Sequence, residues 1–96
     1  MGRGRTIRQL VTTLPEHCFW VHDGPILSDL TELRHALQHE ITDEQFNHHV
    51  SEEKNDFADW IRDALHDGHC ATEVASAKKK STVIKRIDAC LKRYKK

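Results

Sequence analysis

The sequence predicts an α+β protein that is mostly α: a small N-terminal β-hairpin packed on a single domain of four to five helices. Apolar residues recur at helical spacing in several stretches of the chain. An Asp-Gly pair lies between two short apolar runs near the N-terminus, which is typical of a tight hairpin. The 96 residues suffice for one modest core, and no stretch approaches the roughly 20 apolar residues of a membrane span.

The first 14 residues admit two interpretations, a basic arm or a short helix. Glycines flanked by arginines at positions 2–5 favour the arm, whereas apolar residues between positions 7 and 14 have helical spacing. Pro15 closes this segment, and residues 15–96 are predicted to form the single domain.

The hairpin is predicted over residues 18–27. Cys18 to Val21 is rich in residues that favour strands, and Ile26-Leu27 forms the second apolar run. Gly24 is expected to take the positive φ that the turn requires. A two-stranded hairpin is not stable alone, so this one must pack on helices.

Two helices are predicted after the hairpin. Ser28 is expected to N-cap a helix that continues to Glu40 with a leucine-rich buried face. Thr42 and Gln45 fit a capping box, which opens a second, short helix.

The organising element is a central helix predicted over Ser51–Gly68. Its apolar residues fall at the i, i+3, i+4, i+7 spacing of an amphipathic helix. Ser51 is expected to be the N-cap and Gly68 the left-handed residue after the last turn. With residues of the hairpin and the other helices, this helix is predicted to form a core of Phe19, Trp20, Leu33, Leu37, Phe46, Phe57, Trp60, Ile61, Leu65, Ile84, Ile87 and Leu91.

The C-terminal part is predicted to hold two more helices. A short one is expected over Ala71–Ala77, and a basic one over residues 81–94 with Ser81 as N-cap. The three lysines before Ser81 are expected to be a solvated connector.

Four short segments follow one another in a distinctive order. They are Asp23-Gly24, a leucine-rich stretch over Leu30–Leu37, F-x-x-H-V at Phe46–Val50, and K-N-D-F-x-x-W-I-x-D at Lys54–Asp63. This succession resembles a family of small prokaryotic domains of unknown function that is well represented in archaea. The resemblance implies a fold and a cytoplasmic prokaryotic setting, and it carries no activity that transfers to named residues. The arginines of the N-terminus and the triple lysine are not part of the family's pattern.

Within the central helix, the polar corner Lys54-Asn55-Asp56 has two interpretations. It is either a recognition corner or a set of hydrogen bonds that fixes how two helices meet, and we favour the second.

The net charge of zero conceals a strong segregation. Residues 1–15 carry three arginines and no acid. Residues 16–73 carry 14 acids against three basic residues, and residues 74–96 carry nine basic residues against one acid. An acidic body with two basic ends bears on partners more than on fold.

The charge layout leads to two hypotheses of function. The first is a non-enzymatic module that binds nucleic acid or a ribonucleoprotein through its basic ends. The second is a protein–protein interaction or self-association module that uses the acidic helical body. For the first, the predicted contact residues are Arg3, Arg5, Arg8, Lys78, Lys79, Lys80, Lys85, Arg86, Lys92 and Arg93.

Other classes of function are disfavoured by the sequence. No nucleophile is placed with a base and an orienting group, so we expect no catalytic residue, no cofactor and no small-molecule substrate. Zinc needs about four converging ligands, and nothing in the spacing of the histidines brings them together, so no metal site is predicted. An odd number of cysteines without a C-x-x-C pair favours a reducing cytoplasm. The nearest approach to a zinc site is His66, His69 and Cys70, with His17 and Cys18 as candidates for further ligands; the other paired histidines are His35 with His39 and His48 with His49, and the remaining cysteine is Cys90.

Overall fold

The structure, a computed structural model, describes residues 11–94, and within them lie a two-stranded antiparallel hairpin and five α-helices. A single 3-10 turn at Pro15–His17 precedes the hairpin. The strands are β1 (Phe19–Trp20) and β2 (Ile26–Leu27), and the helices are α1 (Leu30–His39), α2 (Asp43–His49), α3 (Asp56–Asp63), α4 (Gly68–Ala75) and α5 (Lys80–Leu91). The predicted α+β, mostly α class is confirmed. None of the helices in residues 11–94 has both the length and the apolar character that crossing a membrane requires.

An aromatic cluster joins the hairpin to α2 and α3. Phe57 of α3 has no exposed surface, and its ring stacks on those of Phe19 and Phe46 with centroids 4.9 and 5.8 Å away. Trp60 packs edge-on against Phe19, and its indole N–H donates to the carbonyl oxygen of His17 at 2.8 Å. The central helix is therefore the centre of the core, as its apolar stripe predicts.

The helices pack as pairs, α3 on α4, α4 on α5 and α1 on α5. A two-point ion pair ties α1 to α5: Arg34 Nε donates to Asp88 Oδ1 at 2.7 Å and Nη2 donates to Oδ2 at 3.2 Å. These hydrogen bonds lower the pKa of Asp88 below its usual value of 3.8. The pair therefore persists at any pH above about 4.

Most of the predicted core residues are buried, with one error and two partial cases. Ile84 and Leu91 are only partly buried at the edge of the core. Trp20 is 69 % exposed, so its assignment to the core is wrong. Side chains of a strand alternate between its two faces, and β1 is anchored through Phe19, which leaves the neighbouring Trp20 on the outer face.

The central helix begins later than predicted. Asn55, and not Ser51, is its N-cap: the Asn55 Oδ1 accepts from the backbone N–H of Ala58 at 3.1 Å. Ser51 lies instead in a tight loop, in which its N–H donates to the carbonyl oxygen of Lys54 at 2.9 Å. The buried Asn55 also donates from Nδ2 to the carbonyl oxygen of Val74 in α4 at 3.1 Å. Asn55 of this polar corner therefore helps to fix how α3 meets α4, in line with the helix-junction interpretation.

The prediction that Gly68 ends the central helix is wrong. Helix α3 ends at Asp63, and the residue with left-handed backbone is His66, with a φ of 58°. Gly68 opens α4, whose N-cap is Asp67. The predicted helix at Ala71–Ala77 therefore starts three residues earlier, because a buried aspartate supplies the cap.

Other element boundaries shift by one to three residues, the largest being the end of α5, which was predicted at residue 94 and lies at Leu91. Asp29 replaces Ser28 as the cap of α1 by accepting from the Glu32 N–H, and α5 begins at Lys80, before Ser81. The capping box of Thr42 and Gln45 is present as predicted.

The hairpin turn takes its positive φ at Asp23, not at Gly24. Asp23 has a φ of 54°, a conformation that aspartate tolerates better than most residues. Gly24 is needed for space, since a Cβ there would lie 2.8 Å from Cγ1 of Val21.

Replacing Asn55 with alanine is expected to lower the free energy of unfolding by about 2–3 kcal/mol, because α3 loses its cap and the buried Val74 carbonyl loses a donor. Urea denaturation followed by circular dichroism measures this loss. The matched control is Ser51→Ala at the exposed predicted cap, expected to change stability by less than about 0.5 kcal/mol. Equal losses of stability from the two substitutions would contradict the assignment of Asn55, and not Ser51, as the N-cap of α3.

Candidate functional site

The hairpin turn is held by one face of α2. Gln45 Nε2 donates to the carbonyl oxygens of His22 and Asp23 at 3.0 and 2.9 Å, while its Oε1 accepts from the Thr42 N–H. One helical turn further on, His49 Nε2 accepts from the His22 backbone N–H at 3.0 Å. Two side chains of α2 therefore fix the position of the turn between β1 and β2.

The outer side of this anchored hairpin is apolar. In the pairing of β1 with β2, Phe19 lies opposite Leu27 and both are buried, whereas Trp20 lies opposite Ile26. Trp20 is 69 % exposed and Ile26 is 51 % exposed. We call these two side chains the hairpin face. An aromatic and a β-branched residue paired across strands form a rigid apolar patch, because the backbone beneath them is fixed.

A groove of about 400 Å³ runs beside the hairpin face, between β2 and α1. Pro25, Ile26 and Leu27 line it from the hairpin, and Thr31, Glu32, His35 and Glu40 line it from α1 and its C-cap. The carboxylate of Glu32 also accepts from the N–H and the hydroxyl of Ser28. We call it the hairpin groove. Apolar surface edged by carboxylates suits a segment that carries both apolar and basic side chains.

The charge around the hairpin is negative. Residues 11–33 contain no lysine or arginine and four acids, Glu16, Asp23, Asp29 and Glu32. The Asp23 side chain at the turn is 86 % exposed. The hairpin face therefore belongs to an acidic segment of the chain, which favours cations over phosphate.

Four of the predicted nucleic-acid contacts are bound to the protein's own body. Arg86 pairs with Glu73 at 3.0 Å, and Arg93 pairs with the buried Asp67 at 3.2 Å. Lys80 donates to the carbonyl oxygen of Ile41 at 2.7 Å and lies 3.5 Å from a carboxylate oxygen of Asp43. The fourth, Lys78, donates to the carbonyl oxygen of Ser51 at 3.3 Å. Four of the ten side chains predicted to contact nucleic acid are therefore bound to carboxylates or carbonyl oxygens of the protein itself.

The remaining predicted contacts are brought together only in part. Lys79, Lys85 and Lys92 are exposed and have no ion-pair partner within residues 11–94. Lys85 and Lys92 are seven residues apart on or just after α5, so they share one side of it. The predicted contacts Arg3, Arg5 and Arg8, like most of the predicted arm at residues 1–14, lie outside the described residues.

Two of the three cysteines meet in the core. Cys70 of α4 and Cys90 of α5 are both buried, and the interaction between their side chains lowers the pKa of Cys90 to about 7 with further help from Arg93. The same interaction, together with burial, raises the pKa of Cys70. The part of the chain that the structure describes holds no group of three or more His, Cys, Asp or Glu residues arranged to bind a metal ion.

A second cavity, of about 510 Å³, lies between the segment before the hairpin and the end of α3. Its walls include Val11, Leu14, Trp60 and His66.

Comparison of the chain with models of protein families, with curated proteins and with solved structures found no match. Membership of the prokaryotic family that the sequence resembles therefore stays a prediction.

The hairpin face was missed by reasoning from the sequence. Cys18 to Val21 is an apolar run without polar residues, so it gave no sign of which side chains face outward. One general rule pointed to it. A short hairpin usually has only one face covered by the core, so alternate residues of its strands point to solvent.

Proposed function

We propose that this domain is a non-enzymatic protein-interaction module whose hairpin face and hairpin groove bind a basic, apolar-bearing segment of another protein. The observation that carries the proposal is Trp20, 69 % exposed on a hairpin whose other face is buried in the core. This choice reverses the order of the two hypotheses drawn from the sequence.

The apolar argument rests on residue type and rigidity. Tryptophan is among the residues that contribute most to protein interfaces, and such residues are surrounded by contacts that exclude water. Trp20 and Ile26 supply the apolar centre, and the hairpin groove supplies the adjoining depression. Because Gln45 and His49 already fix the turn, little ordering entropy is lost when a partner binds.

The charge argument identifies the chemistry of the partner. Carboxylates of Glu32 and Glu40 edge the groove, and Asp23 projects from the turn. These carboxylates attract lysine or arginine side chains of a partner. A cation that lies above the Trp20 ring is stabilised further by a cation–π interaction. The negatively charged backbone of a nucleic acid is not attracted by these carboxylates.

The test is a fluorescence-anisotropy titration of the full chain with a labelled basic amphipathic peptide. The probe has the sequence of residues 78–96 with serine at position 90, and the control probe has every lysine and arginine replaced by glutamate. We expect saturable binding of the basic probe that weakens as salt rises, and none of the acidic probe.

Trp20→Ala is expected to weaken this binding at least about tenfold. Leu14→Ala is the matched control, since Leu14 is also an exposed apolar residue, at 62 %, and lies off the hairpin face. Equal binding by wild type and Trp20→Ala would overturn the proposal. Sedimentation of both proteins shows whether the partner is a second copy, in which case Trp20→Ala abolishes concentration-dependent association.

Nucleic acid or a ribonucleoprotein is the second candidate, favoured by the exposed Lys79, Lys85 and Lys92. It predicts that a short RNA binds the wild type with a steep salt dependence, and that Lys85→Glu with Lys92→Glu abolishes binding while Trp20→Ala does not. RNA binding of this kind, without peptide binding, would replace the interaction proposal.

A further inference from the structure

His49 makes two hydrogen bonds that use opposite sides of one imidazole ring. Its Nε2 lies 3.0 Å from the backbone nitrogen of His22, and its Nδ1 lies 2.9 Å from Asp56 Oδ2. The first links α2 to the hairpin, and the second links α2 to the first turn of α3. His49 is therefore the one side chain of α2 in the described structure that bonds to both neighbouring elements.

The partners fix the protonation of this ring. A backbone N–H can only donate, so His49 Nε2 must accept and cannot carry a proton. The Asp56 carboxylate accepts, so Nδ1 carries the hydrogen. The neutral tautomer with hydrogen on Nδ1 satisfies both bonds, whereas an imidazolium directs an N–H from Nε2 against the N–H of His22.

The ring cannot avoid this conflict by turning outward. His49 is 7 % exposed, with Phe19 edge-on at a centroid distance of 4.9 Å and Phe57 at 5.4 Å. Both phenyl rings belong to the core, so a protonated His49 regains solvent only if the hairpin loosens on α2.

The charged groups around the ring oppose one another. Asp56 favours a cation on His49, but Lys54 Nζ lies 3.4 Å from the same carboxylate oxygen and partly offsets it. His48 lies 5.0 Å from His49 between ring centroids and stacks on His22 at 3.9 Å. A proton on one of these three rings disfavours a proton on the others.

One neighbour of His49 has a lowered pKa. Partial loss of hydration lowers the pKa of the exposed His48, and His22, His49 and Lys54 lower it further against the effect of Asp56. A histidine whose pKa is lower in the folded state contributes stability that is lost as pH falls below its unfolded value of about 6.5. At the turn, the carboxylate of Asp23 lies 3.3 Å from His22 Nε2.

We propose that His49 is a proton-sensitive latch, which holds the hairpin tightly on α2 at neutral pH and loosens it on acidification. Protonation removes the acceptor that the His22 N–H has within residues 11–94 and places an N–H of His49 against it. The Gln45 hydrogen bonds to the turn do not titrate, so the turn stays tethered to α2 and the hairpin loosens without leaving it. Since the hairpin carries Trp20, acidification also disorders the hairpin face; this consequence for binding rests on the proposed function.

The test is amide hydrogen exchange by NMR on the full chain, at pH about 7.5 and about 5.5, either side of the usual histidine pKa. We expect protection of the His22 and Gly24 amides to fall about tenfold more than protection of the Ile87 amide in α5. The Ile87 amide is a sound reference, because the Arg34–Asp88 pair that ties α5 to α1 does not titrate in this range.

His49→Gln is the matched variant, because a side-chain amide oxygen accepts from the His22 N–H at either pH. We expect its hairpin protection to change with pH no more than that of Ile87. A wild-type hairpin that keeps its relative protection at pH about 5.5, or a variant that loses it as the wild type does, would overturn the latch.

A second measurement stands independently of any variant. The ring nitrogen shifts of His49 in the wild type report its tautomer, and we expect an unprotonated Nε2 at pH about 7.5. A protonated Nε2 with a protected His22 amide would also overturn the latch. None of these measurements involves a partner, so failure of the latch leaves the Trp20 binding result unaffected, and the reverse also holds.

Discussion

Replacing Phe57 with alanine is expected to lower the free energy of unfolding by about 3–5 kcal/mol. Phe57 has no exposed surface and stacks between the rings of Phe19 and Phe46, so its removal leaves a cavity where hairpin, α2 and α3 meet. Since small domains are stable by only about 5–15 kcal/mol, the variant is expected to be partly unfolded near physiological temperature.

Urea denaturation monitored by circular dichroism measures this loss. Trp20→Ala is the matched control, since it also removes a large aromatic side chain, but one on the outer face of the hairpin. We expect it to change the free energy of unfolding by less than about 0.5 kcal/mol. A loss below about 1 kcal/mol for Phe57→Ala would contradict the position assigned to α3.

Asp67→Ala is expected to cost about 3 kcal/mol of stability. Asp67 is fully buried, caps α4 by accepting from the Cys70 N–H at 3.0 Å, and accepts from Arg93 Nη2 at 3.2 Å and from the hydroxyl of Tyr94. Removing one partner of a buried pair usually costs about 3–5 kcal/mol. The lower end is expected here because 35 % of the Arg93 side chain is exposed and retains part of its hydration.

Thermal and urea denaturation of Asp67→Ala measure this effect, with Asp63→Ala as the matched control. Asp63 also pairs with an arginine, Arg62 at 3.0 Å, but its side chain is 69 % exposed. An exposed pair of this kind contributes at most about 1 kcal/mol. Similar losses in the free energy of unfolding for Asp67→Ala and Asp63→Ala would contradict the larger contribution expected of the buried carboxylate.

The helices and most of the core were predictable because their apolar residues repeat at a fixed period. Leu33, Leu37, Ile61 and Ile87 lie where that period places them, fully buried. The Thr42–Gln45 capping box was predictable for a related reason: both its hydrogen bonds form within four consecutive residues.

Helix starts were harder to predict because several residues of the right type compete. Ser51 and Asn55 are both good N-caps, and the choice between them depends on a contact distant in sequence, the bond from Asn55 to the carbonyl of Val74. Likewise, Asp67 caps α4 while also binding Arg93 and Tyr94. The intrinsic preference of a residue for the cap position does not predict these tertiary hydrogen bonds.

The candidate site was less predictable than the fold. Trp20 belongs to an apolar run whose inward and outward residues differ by one position, so only the packing of Phe19 on Phe57 decides which ring is exposed. The charge segregation was visible in the sequence, yet its meaning depended on pairing. Arg86 and Arg93 turn out to bind Glu73 and Asp67 of the same chain.

The central claim is that Trp20 is the contact residue of a protein-interaction module, and the two indole N–H groups of the chain test it most directly. The indole of Trp60 is bonded to the carbonyl oxygen of His17 and serves as an internal reference. Two-dimensional NMR of the full chain is followed while the basic peptide, and then a short RNA, is added. The proposal predicts that the peptide shifts the Trp20 indole saturably and leaves that of Trp60 in place. Shifts confined to the amides of Lys85 and Lys92, with the Trp20 indole unmoved by either ligand, would contradict it.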